Sequence, residues 1–407
     1  MRYRKRINDR PLYSLWVGFF IVLILVGNIS CQPQAGSRGV ERWRFALEEL
    51  EGSVQYAYAM KFKEEIESRS EGKIEVVIYP YGTLGTSKQT TEQLSMGVLE
   101  FAMASPGSLG QFIPELQVFL LHFLLPSEDE QVAKVLHDRE VMSQIDSLYA
   151  EKGLKLLSIY NEGDMVWTAD REIRSPEDFR GVKFRTMTTP LLLDSYNAYG
   201  AAATPMPYSE VYSGLQLNMI DGQVNPVFAI ERQKFYEVCD WMIFPGHAHF
   251  VTTAAANESF FNQLSPDKRD MVEASIQAAD EYILGLQVDY QRERLERILR
   301  ASKEKRNKLS ISGDLEPFAA SLDDKTRKSL IDDNNYLKVT PPLTPEERRR
   351  FVEIASQVRE RFAAHVGQRG QRLLSRLEAL SKEANQANAA MEASPQTPQD
   401  AGGSNDE

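Results

Sequence analysis

Residues Gly181–Pro226 read GVKFRTMTTPLLLDSYNAYGAAATPMPYSEVYSGLQLNMIDGQVNP. Two short apolar strands, VKFRT and AAATP, lead into the helix SEVYSGLQLNMI, a pattern of helices packed on a mostly parallel sheet. In open sheets of that kind ligands lie beyond the carboxyl ends of the strands, and Arg185 stands at such an end. Its guanidinium can fork two hydrogen bonds onto a carboxylate, fixing orientation as well as charge, which a lysine cannot do. Taken alone, the arginine is better explained by a surface pair with Asp178 or Glu177; its surroundings reverse that balance.

The alternation continues on the amino-terminal side. RWRFAL is followed by a helix with Tyr58, Phe62 and Ile66 at i, i+4 spacing, then IEVVIY, a helix through Leu94, and EFAMAS. A second set begins near Asp164 with MVWTA, so the first of two lobes should end close to Glu162. From Ser265 as N-cap and Pro266 at N1, the apolar positions Val272, Ile276, Ala279, Ile283, Leu286 and Tyr290 fall four and three apart, predicting one long helix. At the usual rise it would run past about 50 Å, too long for one lobe; a coiled-coil seam is the alternative.

The first thirty residues carry Arg2, Arg4, Lys5, Arg6 and Arg10 against Asp9, then the run LWVGFFIVLILVG, then Ser30 before Cys31. Residues 1–30 therefore read as an export signal and not as fold. Cys31 is the expected lipidation site, a second acyl chain making the membrane anchor stable, and 31–40 a lipid-anchored linker. Asn28 stands where such signals usually have leucine, which leaves an uncleaved N-terminal membrane anchor as the alternative. In both cases the body lies on the periplasmic, extracytoplasmic face.

Losing residues 1–30 removes five basic groups and one acidic one and takes the formal charge from −11 to −15, which argues against nucleic acid as a partner. With Cys31 lipidated, Cys239 is the one thiol left, expected to be buried and inert. Towards the carboxyl end, TPEERRRFVEIASQVRERFAAHVGQRGQRLLSRLEALSKEANQ is helical in composition. It either caps the body, the favoured reading, or offers an amphipathic face to another protein. Residues 381–407, rich in Pro, Gly, Ser and acid from Met391, read as a disordered tail.

GVKFRT, TPMPYSEVYSGLQLNMIDGQVNP, KFYEV and the histidine-bearing PGHAH, in this order, resemble the substrate-binding subunit of tripartite ATP-independent periplasmic (TRAP) transporters, the DctP-type extracytoplasmic solute receptors. With weaker flanks such as FKEEIESRSEGKIEVVIYPYGTLG the likeness runs from roughly Arg42 to Leu380. It implies an α/β, two-lobe periplasmic binding protein fold with a central cleft and a long helix spanning both lobes. Lobe I is expected from 41–162 plus 251–290, and lobe II with the C-terminal helices from 163–250 plus 291–380. The resemblance further implies no enzyme and no cofactor. Instead it implies capture of a carboxylate-bearing organic acid by hinge closure and delivery to TRAP membrane permease subunits driven by an ion gradient, usually sodium. Consistent with that, the chain has no GxxxxGK[ST] phosphate loop.

By the same resemblance Arg185 falls on the arginine that clamps the substrate carboxylate, and the spacing onward to Tyr208 and Asn225 is kept without gaps. Tyr208 offers an aromatic wall with a polar tip, and Asn225 both donates and accepts. Each also has a plain structural explanation, Tyr208 opening the helix at Ser209 and Asn225 shaping the turn before Pro226. Thr188 belongs to the expected ligand set, and His247 is expected to hydrogen-bond near the cleft or hinge.

Three positions depart from the family pattern. Met165 stands where many members place a second arginine, Ser105 where sialic-acid-type members place a cleft glutamate, and Ser87 at an acidic position after YGTLG. Together they read as a cleft stripped of charge, favouring a monocarboxylate with an apolar or lightly hydroxylated body over a dicarboxylate or a zwitterionic sugar acid. Met165 and Trp167 either line an apolar pocket or are strand core. The acidic run Glu48, Glu49 and Glu51 reads as a solvated loop, the alternatives being that it repels anions or receives an amine.

His247 and His249, at i and i+2 of a strand, share a face, but five histidines with no nearby Cys and no HExxH spacing argue against a metal. A hydrolase built on Cys239 with His247, or on a serine with His249, lacks the strand–turn–helix setting that exposes a nucleophile. The competing binder is a relative specialised for hydrophobic ligands and working with a TPR-repeat lipoprotein, which the stripped cleft and the extra tail permit.

Overall fold

The computed structural model describes residues 39–304 and 337–392; the expected signal, Cys31 with most of its linker, and the chain beyond 392 lie outside them. The described chain opens with β1 (Glu41–Ala46), α1 (Val54–Arg69), β2 (Ile74–Tyr79), α2 (Ser87–Ser95) and β3 (Phe101–Ala104). Ser53 caps α1 by accepting from the Tyr56 N–H at 3.1 Å, satisfying one of the helix's open donors. The i, i+4 face of α1, Tyr58, Phe62 and Ile66, is fully buried, with Phe62 edge-on to Phe45 and Phe101 of the strands beneath. After α3 (Pro106–Leu109), α4 (Asp129–Leu136) and α5 (Arg139–Ala150) comes the 16-residue β4 (Leu154–Ala169).

β4 makes two lobes out of one run of strands. Beyond it lie β5 (Lys183–Thr186), α6 (Pro190–Ala198), β6 (Ala202–Pro205), α7 (Val211–Gln216), β7 (Gly222–Pro226), α8 (Val227–Arg232), β8 (Trp241–Ile243) and β9 (His249–Asn257). The strand order is β2-β1-β3-β9-β4-β7-β5-β6, with β8 beside β4 as a side branch. The first part of β4 pairs antiparallel with β9, from Leu154↔Asn257 to Asp164↔His249. From Met165↔Pro226 to Ala169↔Gly222 it pairs instead with β7. The register slips between Asn161 and Asp164, where Gly163 takes φ +119°, a conformation glycine adopts without the penalty of a side chain.

The two lobes end their second helices alike. Gly97 and Asn218 both take positive φ after α2 and α7, and the next residue closes the turn, Val98 N to Gln93 O at 2.9 Å and Met219 N to Gly214 O at 2.8 Å. An acid then holds the backbone N–H of the parallel strand alongside, Glu100 that of Arg44 at 2.7 Å and Asp221 that of Lys183 at 2.8 Å. No sequence period announces this correspondence, because different side chains fill the equivalent places.

After the short α9 (Glu258–Gln263), α10 (Pro266–Glu304) is a single 39-residue helix, about 58 Å long at the usual rise. It packs on α1, β4 and α8 and so touches both lobes. The Tyr58 hydroxyl donates to Asp280 at 3.0 Å, and Arg294 joins Glu231 of lobe II, at 2.8 Å, to the Gly52 carbonyl of lobe I. β10 (Lys338–Val339) pairs with β8. Then α11 (Pro345–His365) starts in a capping box between Thr344 and Glu347. Among the described residues no helix is long and apolar enough to cross a membrane.

The C-terminal helices depart from the expected division. α11 packs on α6 and sets Phe351 into the lobe II aromatic core, while α12 (Gly367–Glu392) packs on α4 and α5 and buries Leu373, Leu374 and Leu377 in the lobe I core. They cap both lobes, and the tail boundary set at 381 falls inside α12.

His249 sits at the strand crossing. Its Nδ1 lies 3.0 Å from an Asp164 oxygen and its Nε2 2.7 Å from the Pro126 carbonyl. Burial opposes charge on the ring, but Asp164 and the Pro126 carbonyl outweigh it and hold the pKa above the usual histidine value. A histidine with a raised folded pKa contributes stability below about 6.5, its unfolded value, and loses it as pH rises through the folded value. His249→Gln is therefore expected to cost roughly 1–2 kcal/mol near pH 5, the deficit shrinking towards pH ~9. Thermal melts of both proteins across that range check this; a deficit independent of pH would contradict it.

Candidate functional site

Arg185 lies in β5, opposite Thr204 of β6 and Gln223 of β7, and is 2% exposed. Its Nε and Nη2 both donate to the Met206 carbonyl, at 3.0 and 2.8 Å, while Nη1 is buried without a hydrogen-bond partner. The surface alternative falls away, since Glu177 pairs with Arg350 and Asp178 holds the Ser175 turn. Burial lowers the Arg185 pKa to about 10, against the opposing pull of Tyr208, Tyr81 and Glu49, so the guanidinium stays charged at neutral pH. Anchored by one edge to a backbone carbonyl, it keeps a donor free for an acceptor such as a carboxylate.

The partners of this cation come from lobe I, and they overturn the expectation of a charge-stripped cleft behind a solvated acidic loop. Glu48 and Glu49 are each 5% exposed and Glu162 is fully buried; of the acidic run, Glu51 alone is exposed. β1 ends at Ala46, so the chain turns inward at the ligand end of the sheet and carries both glutamates with it. Glu48 accepts from the Ser105 N–H at 2.6 Å and from the Ser108 hydroxyl. Burial pushes its pKa up to about 7, with Ser108, Ser105 and Ser87 pulling the other way. Burial, then Glu162 and Glu48, hold Glu49 well above the carboxylate range, opposed by the Tyr208 hydroxyl and by Arg185. Burial likewise lifts Glu162 to about 8.

The other expected residues divide. Tyr208 is in electrostatic contact with both Glu49 and Arg185, its ring 5.7 Å from that of Tyr81 of lobe I. Asn225 is buried and donates to Gln223, which in turn donates to Thr168 at 2.8 Å. Ser105 and Ser87 both attend Glu48, holding its pKa below where burial alone would set it. Met165 is buried in the core beside Pro226. Thr188 is exposed and its carbonyl accepts from Gln111. Two neighbours in the same loop touch α3: the Thr189 hydroxyl donates to Gly107 O at 2.6 Å, and Met187 lies where a side chain at Gly107 would be.

His247 and Trp167 belong to neither group of charges. Trp167 is fully buried among Phe179, Phe184, Tyr196 and Phe351 and is strand core. His247 accepts from its indole N–H at 3.2 Å and lies against His122, inside the same cluster. Burial keeps that imidazole neutral, its pKa well below the usual value. Cys239 is buried and hydrogen-bonded to Thr168. Among the described residues no group of His, Cys, Asp or Glu is placed to hold a metal ion.

With this geometry in place, comparison with known proteins is decisive. The profile of bacterial extracellular solute-binding protein, family 7 (DctP) matches residues 45–333. The chain belongs to that family. It is similar to UehA, the ectoine/5-hydroxyectoine-binding periplasmic protein of Ruegeria pomeroyi, with 36% identity over 347 residues covering 85% of this chain and 92% of that one. TeaA, the ectoine-binding periplasmic protein of Halomonas elongata, is 38% identical over 340 residues, covering 83% and 89% respectively. The solved structure of the ectoine-binding protein of the H. elongata TeaABC TRAP transporter superposes with a TM-score of 0.73 at 36% identity, over 84% of this chain and all of that one. This DctP-family receptor is thus a TRAP solute-binding protein and not an enzyme. It binds a small organic solute in the periplasm and works with TRAP membrane subunits.

The raised carboxyl groups carry a signed consequence. An acid whose folded pKa lies above its unfolded value binds more protons folded than unfolded, so stability falls as pH rises between the two values. For Glu162 that window runs from 4.5 to about 8, and for Glu48 from 4.5 to about 7. The ligand-free protein is expected to melt at a lower temperature near pH ~8.5 than near pH ~6, and Glu162→Gln to flatten the decline. An equal or steeper decline in the variant would contradict this.

Proposed function

We propose that this receptor captures a compact zwitterion, a carboxylate joined to a planar N–H-bearing cation, with ectoine as the leading candidate. The observation that carries this reading is the opposition of buried Arg185, with Nη1 free, to buried Glu49 on the other lobe. The ligand carboxylate would take the guanidinium and its cation would take Glu49, with the Tyr208 and Tyr81 rings as cation–π walls. Ectoine, a cyclic amidinium carboxylate, has this distribution of charge, and the ectoine-binding relatives above support the choice. The ligand remains a monocarboxylate, but the body expected to be apolar or lightly hydroxylated carries a positive charge instead.

Capture would proceed by hinge closure. Bending at the β4–β9 crossing brings Arg185 and Glu49 together around the ligand and excludes water, which strengthens both pairings. A lipid anchor at Cys31 would keep the receptor near its permease. The hydrophobic-ligand alternative with a TPR-repeat lipoprotein is disfavoured by the same carboxylates, since an alkyl chain laid against three buried acids leaves their desolvation uncompensated.

Titration calorimetry of the purified protein with ectoine is expected to give one saturable site. Arg185→Ala should weaken it by roughly 2–5 kcal/mol, tens to thousands of fold, and Arg185→Lys should also lose affinity because the fork is gone. Absence of ectoine binding by the unaltered protein, or an unchanged constant in Arg185→Ala, would sink the proposal.

A further inference from the structure

Building on the zwitterion reading, we infer that Glu162 is a second acidic contact for the ligand's cation. With Glu49 it forms a two-carboxylate fork that selects planar cations bearing two N–H donors and gives up a proton when one enters.

Gln55 is fully buried on α1. Its Oε1 accepts the Glu48 backbone N–H at 2.9 Å, so its amide nitrogen must face the other way. That nitrogen donates to Glu162 Oε1 at 2.8 Å and to the Thr252 hydroxyl at 3.3 Å. A backbone donor thereby dictates the orientation of the amide and occupies one oxygen of Glu162. The second oxygen, Oε2, is buried with no hydrogen-bond partner. Such an atom is costly as an anion, and either a proton or a ligand N–H relieves it. Gln55 also ties Glu162 of β4 to the loop bearing Glu49, fixing the two carboxyls relative to each other.

Burial and Glu48 favour the protonated form of Glu162 in the absence of a cation, against the opposing pull of the Gln55 amide and the Thr252 hydroxyl. Glu48 and Glu49 lie on the loop after β1, Gln55 and Tyr58 on α1, Tyr160 on β4 and Thr252 on β9. Asp280 of α10 is taken up by Tyr58 and Ser158. Arg185 bears on the group through Glu49. When an amidinium enters, its N–H replaces the carboxyl O–H and the displaced proton leaves to solvent. The ligand's negative end meets Arg185, its positive end meets the newly ionised acid, and Glu162 contributes one released proton per ligand bound, beside any that Glu49 gives up. An amidinium carries N–H groups on opposite sides of its central carbon and needs acceptors on two sides, which Glu49 of the loop after β1 and Glu162 of β4 supply. A quaternary ammonium carries none and cannot displace the proton.

The test is calorimetry of the full chain with ectoine near pH ~7 in two buffers of different ionisation heat. At least one proton is expected to be released per ligand, and affinity to tighten between pH ~6 and ~8. Glycine betaine is expected to bind far more weakly. Glu162→Gln should weaken ectoine roughly ten- to a hundredfold, lower the proton count by about one and narrow the gap to glycine betaine. Ectoine binding to the unaltered protein without proton exchange would overturn the inference while leaving the zwitterion reading standing on Glu49, and it needs no variant to fold. An unchanged constant and proton count in Glu162→Gln would do the same. No ectoine binding at any pH would remove both.

Discussion

A guanidinium and three carboxyl groups are buried in one electrostatically linked group, and the guanidinium makes no ion pair with any of them. Charges taken out of water without a partner are destabilising by several kcal/mol each, so a fold keeps them only where something else gains. Here the cost is moderated on both sides. Arg185 is braced by the Met206 carbonyl, and the acids sit high enough in pKa to hold protons near neutrality. What remains is a donor and an acceptor, Arg185 Nη1 and Glu162 Oε2, both buried and unsatisfied. That arrangement is poor for stability and well suited to a ligand that brings both charges at once.

The scaffold explains how such groups come to face each other. β4 is the element common to both halves, pairing with β9 before the slip at Asn161–Asp164 and with β7 after it. Glu162 lies inside that slip, at the place where the strand changes neighbours. α10 spans the same boundary from outside, and its Arg294 joins Gly52 to Glu231. The loop after β1 and the end of β5 are thus held by elements that touch both lobes, while α12 braces lobe I and α11 reaches both, with Phe351 in the lobe II aromatic core and Val358 in the lobe I core. Motion between the lobes would concentrate where β4 and β9 cross, beside the His249–Asp164 contact.

Much of this was legible in the residues. Helix–strand alternation, the i, i+4 face of α1 and the spacing along α10 are periodic signals that burial enforces, and they gave the two lobes and the spine. Arg185, Tyr208 and Asn225 stood out as candidates because their order and spacing carry a family resemblance. The acids were not. Glu48 and Glu49 look like any charged turn, since a sequence records the charge but not which way the chain bends after β1. Glu162 sits in NEGD with no periodicity to mark it, and its importance arises from Gln55, 107 residues away in the chain. Counting charge at three aligned positions, Met165, Ser105 and Ser87, missed acids supplied from other elements. His247 does hydrogen-bond, with Trp167 and Tyr196, but inside the aromatic core around Trp167, which no periodicity in its segment announces.

The most direct measurement of the central claim is a competition between ectoine and a cyclohexene carboxylate of the same ring size, which keeps the acid and removes the cation. The account requires ectoine to displace the neutral-ring acid completely, with the acid alone bound at least a hundredfold more weakly, as expected if roughly 3 kcal/mol rests on the carboxylate–cation contact. Equal affinity for the two would show that the buried glutamates do not read the ligand's positive charge, and the account would fail.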